Sequence, residues 1–410
     1  MSLSRTIVTL QNIDIEKLKP VISLVYRLSP PLHHHPVTPP HHLFPNSSQK
    51  MYFYGVLKKK RMPESDKSQP VGVIGAGSFG TAIANLLAYN TDVLFFSRKA
   101  ELVETINRKR HHLGVDISTR IHATSDPEEI AARCTLIFPV VPSVSFRRMM
   151  RSFGPYLRPD HLLIHGTKGF DTNEIEEELI SQKGISRKDV NTMSEVIMQE
   201  SSVIRVGCLS GPNLASEIME GQPTATVIAS RFDEVIDAGQ AVLSSRYFHV
   251  FGTYEILGAE LAGALKNVIA LGSGILKGKG LGKNIQAMLI TRGLTEMVHY
   301  GQRLGAGNKA FLGTAGIGDL VATATSKNSR NFTFGYRLGQ GEKFQDIRDD
   351  MPELAEGVRT LRIVRYLAKN MKLRVPIMEM LYSVVFDELE IEKALEFLMT
   401  YPYDIDVDFM

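Results

Sequence analysis

From Val71 onward the chain alternates short unbroken runs of β-branched, aliphatic and aromatic residues with stretches in which apolar residues recur every three or four positions. The runs at 71–75, 92–97, 135–141 and 161–165 predict strands buried on both faces. The stretches starting at Thr81, spanning 100–109 and starting at Val144 predict the intervening helices. That alternation predicts a parallel, doubly wound sheet. A further strand pattern at 224–230, after the Gly211-Pro212 turn, extends it. Beyond about Thr253 the strand runs stop. Long helical stretches follow, broken by Gly278, Gly280 and Gly282 and by a loop at 323–331, so the second half predicts an all-helical domain.

The first strand runs straight into Gly75-Ala76-Gly77-Ser78-Phe79-Gly80 and then a small-residue helix. In that context the three glycines form a dinucleotide fingerprint, and the first layer is Rossmann-like. Gly75 permits the tight turn, Gly77 lets the backbone approach a pyrophosphate, and Gly80 lets helix pack on strand. The helix that follows offers its free N–H groups and positive dipole end to the phosphates. The acid expected about twenty residues later to hold the ribose is missing, and Ser97-Arg98-Lys99 stands there instead. A guanidinium at Arg98 suits a 2′-phosphate, so NADP is expected alongside NAD.

Residues 1–62 differ in kind, with paired prolines, clustered histidines and the run Lys58-Lys59-Lys60-Arg61. They read as a disordered, basic, Pro/His-rich extension in which no fixed geometry would hold a metal, and no signal peptide is recognisable. The expected domains are therefore 63–254 for the dinucleotide and 255–410 for substrate and catalysis. The extension carries nine of the 47 Lys/Arg and two of the 44 acids. Of the net +3, it accounts for +7 and the remainder for −4, which predicts no nucleic-acid affinity. Two cysteines, Cys134 and Cys208, give neither a disulfide framework nor a metal cluster, which fits a reducing cytoplasm. No run of 18 apolar residues is present, so no stable membrane insertion is expected.

Ligands of open α/β sheets bind outside the carboxyl ends of the strands, which directs attention to Pro142, Lys168 and Gly211-Pro212-Asn213. Lys168, next to Gly169 at a strand end, reads as a cation facing the crevice. The strongest chemical signal is Lys266 in Glu260-Leu261-Ala262-Gly263-Ala264-Leu265-Lys266-Asn267-Val268. An ammonium inside a helix apolar on every side is costly unless something uses it or pairs it, Glu260 being the nearest acid.

The motifs GAGSFGTAIA from Gly75, VPSVSFR from Val141, Lys168-Gly169, SGPNLASEI from Ser210 and ELAGALKNV from Glu260 continue in order. TRGLTEM from Thr291, GIGDLVATAT from Gly316, SRNFTFG from Ser329 and EGVRT from Glu356 complete the set. Together they resemble the soluble, nicotinamide-dependent sn-glycerol-3-phosphate dehydrogenases of bacterial type. The resemblance implies interconversion of glycerol 3-phosphate and dihydroxyacetone phosphate, supply of the former to phospholipid synthesis, and a homodimer. It implies that Lys266 is the proton acceptor, with Lys168 and Asp319 as its catalytic companions. Gly211, Asn213, Asn267, Thr323, Ser329, Arg330 and Asn331 would face the substrate, as would Lys168, Lys266 and Asp319. Gly75, Gly77, Ser78, Phe79, Gly80, Arg98, Pro142, Lys168, Ala215, Arg330 and Glu356 would face the coenzyme. No metal is implied.

Pro139 departs from the family pattern inside a strand and predicts a bend or strand end there. Two other readings are a β-hydroxyacid or 6-phosphogluconate type dehydrogenase, and a non-catalytic dinucleotide sensor. The Ser329-Arg330-Asn331 triplet opposes the first, and the presence of both Lys266 and Asp319 opposes the second.

Overall fold

The computed structural model describes residues 69–401, except 174, 176–178, 182–183 and 352–354. The expected extension at 1–62 and the acidic end at 402–410 lie outside the described residues.

One eight-stranded sheet is built from β1 (Val71–Ile74), β2 (Val93–Phe96), β3 (Ile121–Thr124), β4 (Leu136–Pro139), β5 (Leu162–His165), β6 (Arg205–Ser210), β7 (Thr224–Ser230) and β8 (Phe248–Thr253). The order is β8-β7-β6-β5-β4-β1-β2-β3, so the winding reverses between β1 and β4. That reversal opens a crevice at the carboxyl ends of the two strands. β1, β2 and β4 are buried at every position. Successive side chains feed opposite apolar layers: Phe95 and Phe138 pack with Ile83 on one face, Leu94 and Ile137 with Phe146 on the other. Pro139 ends β4, as its missing N–H requires.

The sheet departs from expectation in two ways. β7 extends it but runs antiparallel to β6, because the connection carries a single five-residue helix, Ala215–Met219, instead of a full crossover. Three strands, β3, β6 and β8, were not anticipated. The first helices also begin earlier: α1 (Ser78–Leu87) starts inside the fingerprint and α3 (Ser143–Phe153) at the residue after Pro142, with α2 (Ala100–Lys109) as expected.

After β8 the fold is helical around α4 (Ile256–Gly278), in which every residue from Gly258 to Leu276 is buried. By length and composition α4 could cross a bilayer, since Glu260, Lys266 and Lys277 only partly lower its average hydropathy, but 89% of its most apolar window is buried inside the fold. Around it lie α5 (Lys283–Arg303), α6 (Asp319–Thr325), α7 (Arg330–Gly339), α8 (Glu356–Met371) and α9 (Pro376–Phe386). α4 and α7 touch backbone to backbone. A Cβ at Gly274 would stand 2.1 Å from the Phe332 carbonyl oxygen, and one at Gly335 would stand 2.0 Å from that of Leu271. Only glycine permits so close an approach.

Candidate active site

The crevice begins at the β1–α1 turn. Gly75 has φ +120°, and Gly80 is so close to it that a Cβ there would lie 1.8 Å from the Gly75 carbonyl oxygen. At Gly77 a Cβ would meet nothing within 4 Å. The protein's own packing therefore does not require that glycine, whereas a closely approaching ligand backbone would. Among the described residues no side chain caps α1, so the N–H groups of Ser78, Phe79 and Gly80 remain for an anion. His112 Nε2 braces the loop at the Ala76 carbonyl, 2.9 Å away. The end of β2 lies beside the turn, with the Gly75 N–H 3.2 Å from the Phe96 oxygen, and it presents exposed Arg98 and Lys99. These features fit a dinucleotide, and Phe79 links them to the next part of the site by packing over Gly166.

Two residues beyond Gly166, Lys168 reaches Asp319 and the Gly211 carbonyl. Its Nζ lies 2.6 Å from Asp319 Oδ2 and 2.8 Å from the Gly211 oxygen. Lys266, from the middle of α4, donates to Asp319 Oδ1 at 2.6 Å and to Thr323 Oγ1 at 2.5 Å. The Thr323 hydroxyl in turn donates to Asp319 Oδ1 at 3.2 Å. Asp319 is the first residue of α6 and follows a π-helical turn, Thr314–Gly318. One α-helical turn separates it from Thr323, so both face Lys266. The acid that pairs Lys266 is thus Asp319; Glu260 points elsewhere.

One buried carboxylate between two ammonium groups leaves a net positive site. Burial, and then the repulsion of Lys168, lower the Lys266 pKa to about 8, even though Asp319 opposes the shift. Burial alone would raise the Asp319 carboxyl, but the two lysines outweigh it and hold it below its ordinary value. Lys266 and Asp319 are nearly sealed, whereas the Lys168 side chain is 17% exposed and faces the opening. Two of the three N–H groups of Lys266 are committed, which leaves one for an incoming oxygen.

Asn267, next to Lys266, spans the cluster and α7. Its amide approaches the Lys168 carbonyl at 3.4 Å and accepts from Asn331 Nδ2 at 2.9 Å. The Asn331 carbonyl oxygen is also taken, by the Gly357 N–H at 2.8 Å. That side chain therefore mainly ties α4, α7 and α8 together. Ser329 caps α7 by accepting from the Phe332 N–H at 3.3 Å, which leaves its own O–H to donate, and Arg330 is exposed at the first position of α7. Asn213 Nδ2 is held by Thr226 Oγ1 at 2.9 Å.

Pro142 precedes α3, and Ala215 opens the short helix after β6. Among the described residues, neither they nor Arg98 hydrogen-bond to the lysine cluster. Glu356 accepts the Ser143 N–H at 2.9 Å and the Ser143 hydroxyl at 2.7 Å, so it caps α3 from the helical layer. Arg359, one turn on, reaches the Phe170 carbonyl and Thr172 Oγ1. Buried Arg147 grips Asp171 at 2.7 Å and also holds Glu200. Sequence reasoning gave Arg147 and Arg359 no role. Each lies in a motif quoted above, VPSVSFR or EGVRT, but a lone arginine there does not disclose its partner.

The family model described as NAD-dependent glycerol-3-phosphate dehydrogenase N-terminus matches residues 70–236, and the C-terminus model matches 255–396. A glycerol-3-phosphate dehydrogenase of the NAD(P)+ type from Azotobacter vinelandii is 39% identical, over 83% of this chain and 97% of the relative. The one from Pseudomonas aeruginosa strain LESB58 is 37% identical, over 84% and 98%. The crystal structure of glycerol-3-phosphate dehydrogenase from Coxiella burnetii superposes with a TM-score of 0.73 at 28% identity, covering 82% of this chain and all of that one. The glycine turn, the two-lysine cluster and these matches agree: the chain belongs to the NAD-dependent glycerol-3-phosphate dehydrogenase family.

Proposed function

We propose that this protein interconverts dihydroxyacetone phosphate and sn-glycerol 3-phosphate with NAD or NADP, Lys266 carrying the proton, and so feeds phospholipid synthesis. The observation that supports this reading most is the Lys168–Asp319–Lys266 cluster beside a dinucleotide turn. The nicotinamide, when bound, supplies the hydride to C2 of the ketone or takes it back in reverse. The chain does the rest. Lys266 donates its free N–H to the C2 oxygen and gives up that proton as the alcohol forms. Asp319 and Thr323 hold the amine in position throughout. Lys168 makes the ammonium a better acid and helps to balance the charge of the substrate. The N-terminus of α7, with Ser329 and Arg330, receives the phosphate. Mixing the protein with dihydroxyacetone phosphate and NADH or NADPH should lower absorbance at 340 nm, and no loss with either coenzyme refutes the assignment.

Arg330→Lys should raise KM for dihydroxyacetone phosphate, because an ammonium cannot reproduce a two-pronged guanidinium contact. Steady-state kinetics with unchanged KM and turnover would move the phosphate elsewhere.

Arg98 and Lys99 place cationic groups where a 2′-phosphate would sit, so NADPH should serve at least as well as NADH. A charge-assisted contact there is worth roughly 1.5–3 kcal/mol. Arg98→Ala should therefore raise KM for NADPH far more than for NADH. Equal losses, measured side by side, would leave Arg98 only a stacking role on adenine.

The reading extends to a cytoplasmic homodimer that acts on a small phosphorylated substrate. Cys134 and Cys208 are buried and unpaired, which suits a reducing compartment. Size-exclusion chromatography of the purified chain tests the dimer.

A further inference from the structure

His165 and Glu260 form a buried pair that the reaction does not use. His165 Nε2 lies 2.9 Å from Glu260 Oε1, and the Ser194 backbone N–H donates to the same oxygen at 2.8 Å. The two side chains are 1% and 5% exposed. Burial works against the Glu260 carboxylate, but His165 and the Ser194 donors outweigh it and keep it ionised. His165 is the last residue of β5, three before Lys168. Glu260 lies on α4, six residues before Lys266.

The placement on α4 is the informative part. Positions 260 and 267 are seven apart and share one helical face. Glu260 holds His165 on that face, and Asn267 reaches the Lys168 carbonyl. Between them, a Cβ built on Gly263 would touch the Lys168 stem, at 3.4 Å from Cγ. The segment 165–168 is thus laid along α4 and pinned at both ends. A buried polar pair is weak evidence for stability, since apolar residues of similar volume often serve as well. Its position above the lysines calls for another explanation.

We infer that the His165–Glu260 pair is a positioning device that sets the register of the Lys168 segment against α4, and hence the separation of the two ammonium groups on Asp319. The inference rests on the proposed role of Lys266. The charged groups facing Lys266 are Asp319 and Lys168; Glu260 faces His165, with the buried Cys208 thiol of β6 beside it. Loss of the pair lets Lys168 withdraw and removes its repulsion. The Lys266 ammonium then holds its proton to higher pH.

Glu260→Leu keeps the bulk and removes the acceptor that holds both His165 and the Ser194 N–H. Turnover should fall about tenfold or more, the size of effect expected when a reacting group is slightly misplaced. The pH at which glycerol 3-phosphate oxidation becomes half-maximal should rise, with KM for the coenzyme nearly unchanged. A merely structural pair would lower the melting temperature and leave that pH unmoved, which would overturn the inference. Should Glu260→Leu fail to fold, His165→Phe, which keeps a ring against Phe146 and removes the nitrogen, carries the same expectations. A wild-type protein with no activity at 340 nm would instead refute the proposed function itself.

Discussion

Lys266→Ala is expected to lower turnover at least ~10²-fold in both directions, the range for a positioned general acid–base. Coenzyme affinity, measured by fluorescence titration with NADH, should stay nearly intact, because the glycine turn does not depend on Lys266. The pH dependence of the wild type follows from the same residue. With a pKa lowered to about 8, Lys266 is mostly an ammonium at neutral pH, the form that protonates the ketone oxygen. Reduction should therefore hold up below pH 8 and decline above it, whereas oxidation, which needs the neutral amine, should rise through the same region. In Lys266→Ala that limb disappears. A mutant that keeps wild-type turnover would show that the proton comes from another group.

Asp319→Asn is the second large effect, and it acts on charge and geometry together. Both carboxylate oxygens are engaged, and a neutral amide would leave the buried Lys266 ammonium facing that of Lys168 with no charge between them. Removing one partner of a buried charged set typically costs about 3–5 kcal/mol. The sign with pH follows from Lys266. A lysine whose folded pKa lies below its unfolded value of 10.5 binds fewer protons when folded, so stability rises with pH between the two values. Without Asp319 the folded value falls further. The melting temperature of the variant should then sit below wild type at pH 7 and recover part of the gap as pH is raised toward 10. A pH-independent gap would mean that Asp319 serves only as a hydrogen-bond acceptor.

The parts of the fold legible in the sequence were those buried on both sides. β1, β2 and β4 are unbroken apolar runs because the central sheet has layers on both faces, and α4 is apolar all round because helices and sheet enclose it. β3 and β8 escaped notice for the opposite reason. They are edge strands with solvent-facing His122 and His249, so the apolar signal alternates and is short. β6 is buried from Val206 to Ser210, but Gly207, Cys208 and the terminal Arg205 dilute its pattern. In the site, Lys266 announced itself as a charge among apolar neighbours. Its link to Asp319 spans 53 residues and became visible only through the family resemblance and then the fold. The grips of Arg147 and Arg359 had no local signal, since nothing near either residue in sequence identifies Asp171 or the Phe170 carbonyl.

The backbone contact between α4 and α7 makes that helix pair a ruler. On the proposed chemistry, α4 carries the proton donor and α7 the phosphate anchor. The span between them is then set, at Gly274 and Gly335, by glycine against carbonyl. A substrate would be gauged by the number of atoms between its phosphate and its reacting oxygen, so a three-carbon phosphate fits where a four-carbon homologue overruns. A methyl group at Gly335 would wedge the helices apart and recalibrate the gauge. Gly335→Ala should narrow the preference for dihydroxyacetone phosphate over a keto-phosphate one carbon longer, and an unchanged ratio of kcat/KM for the two would show that the span is set elsewhere.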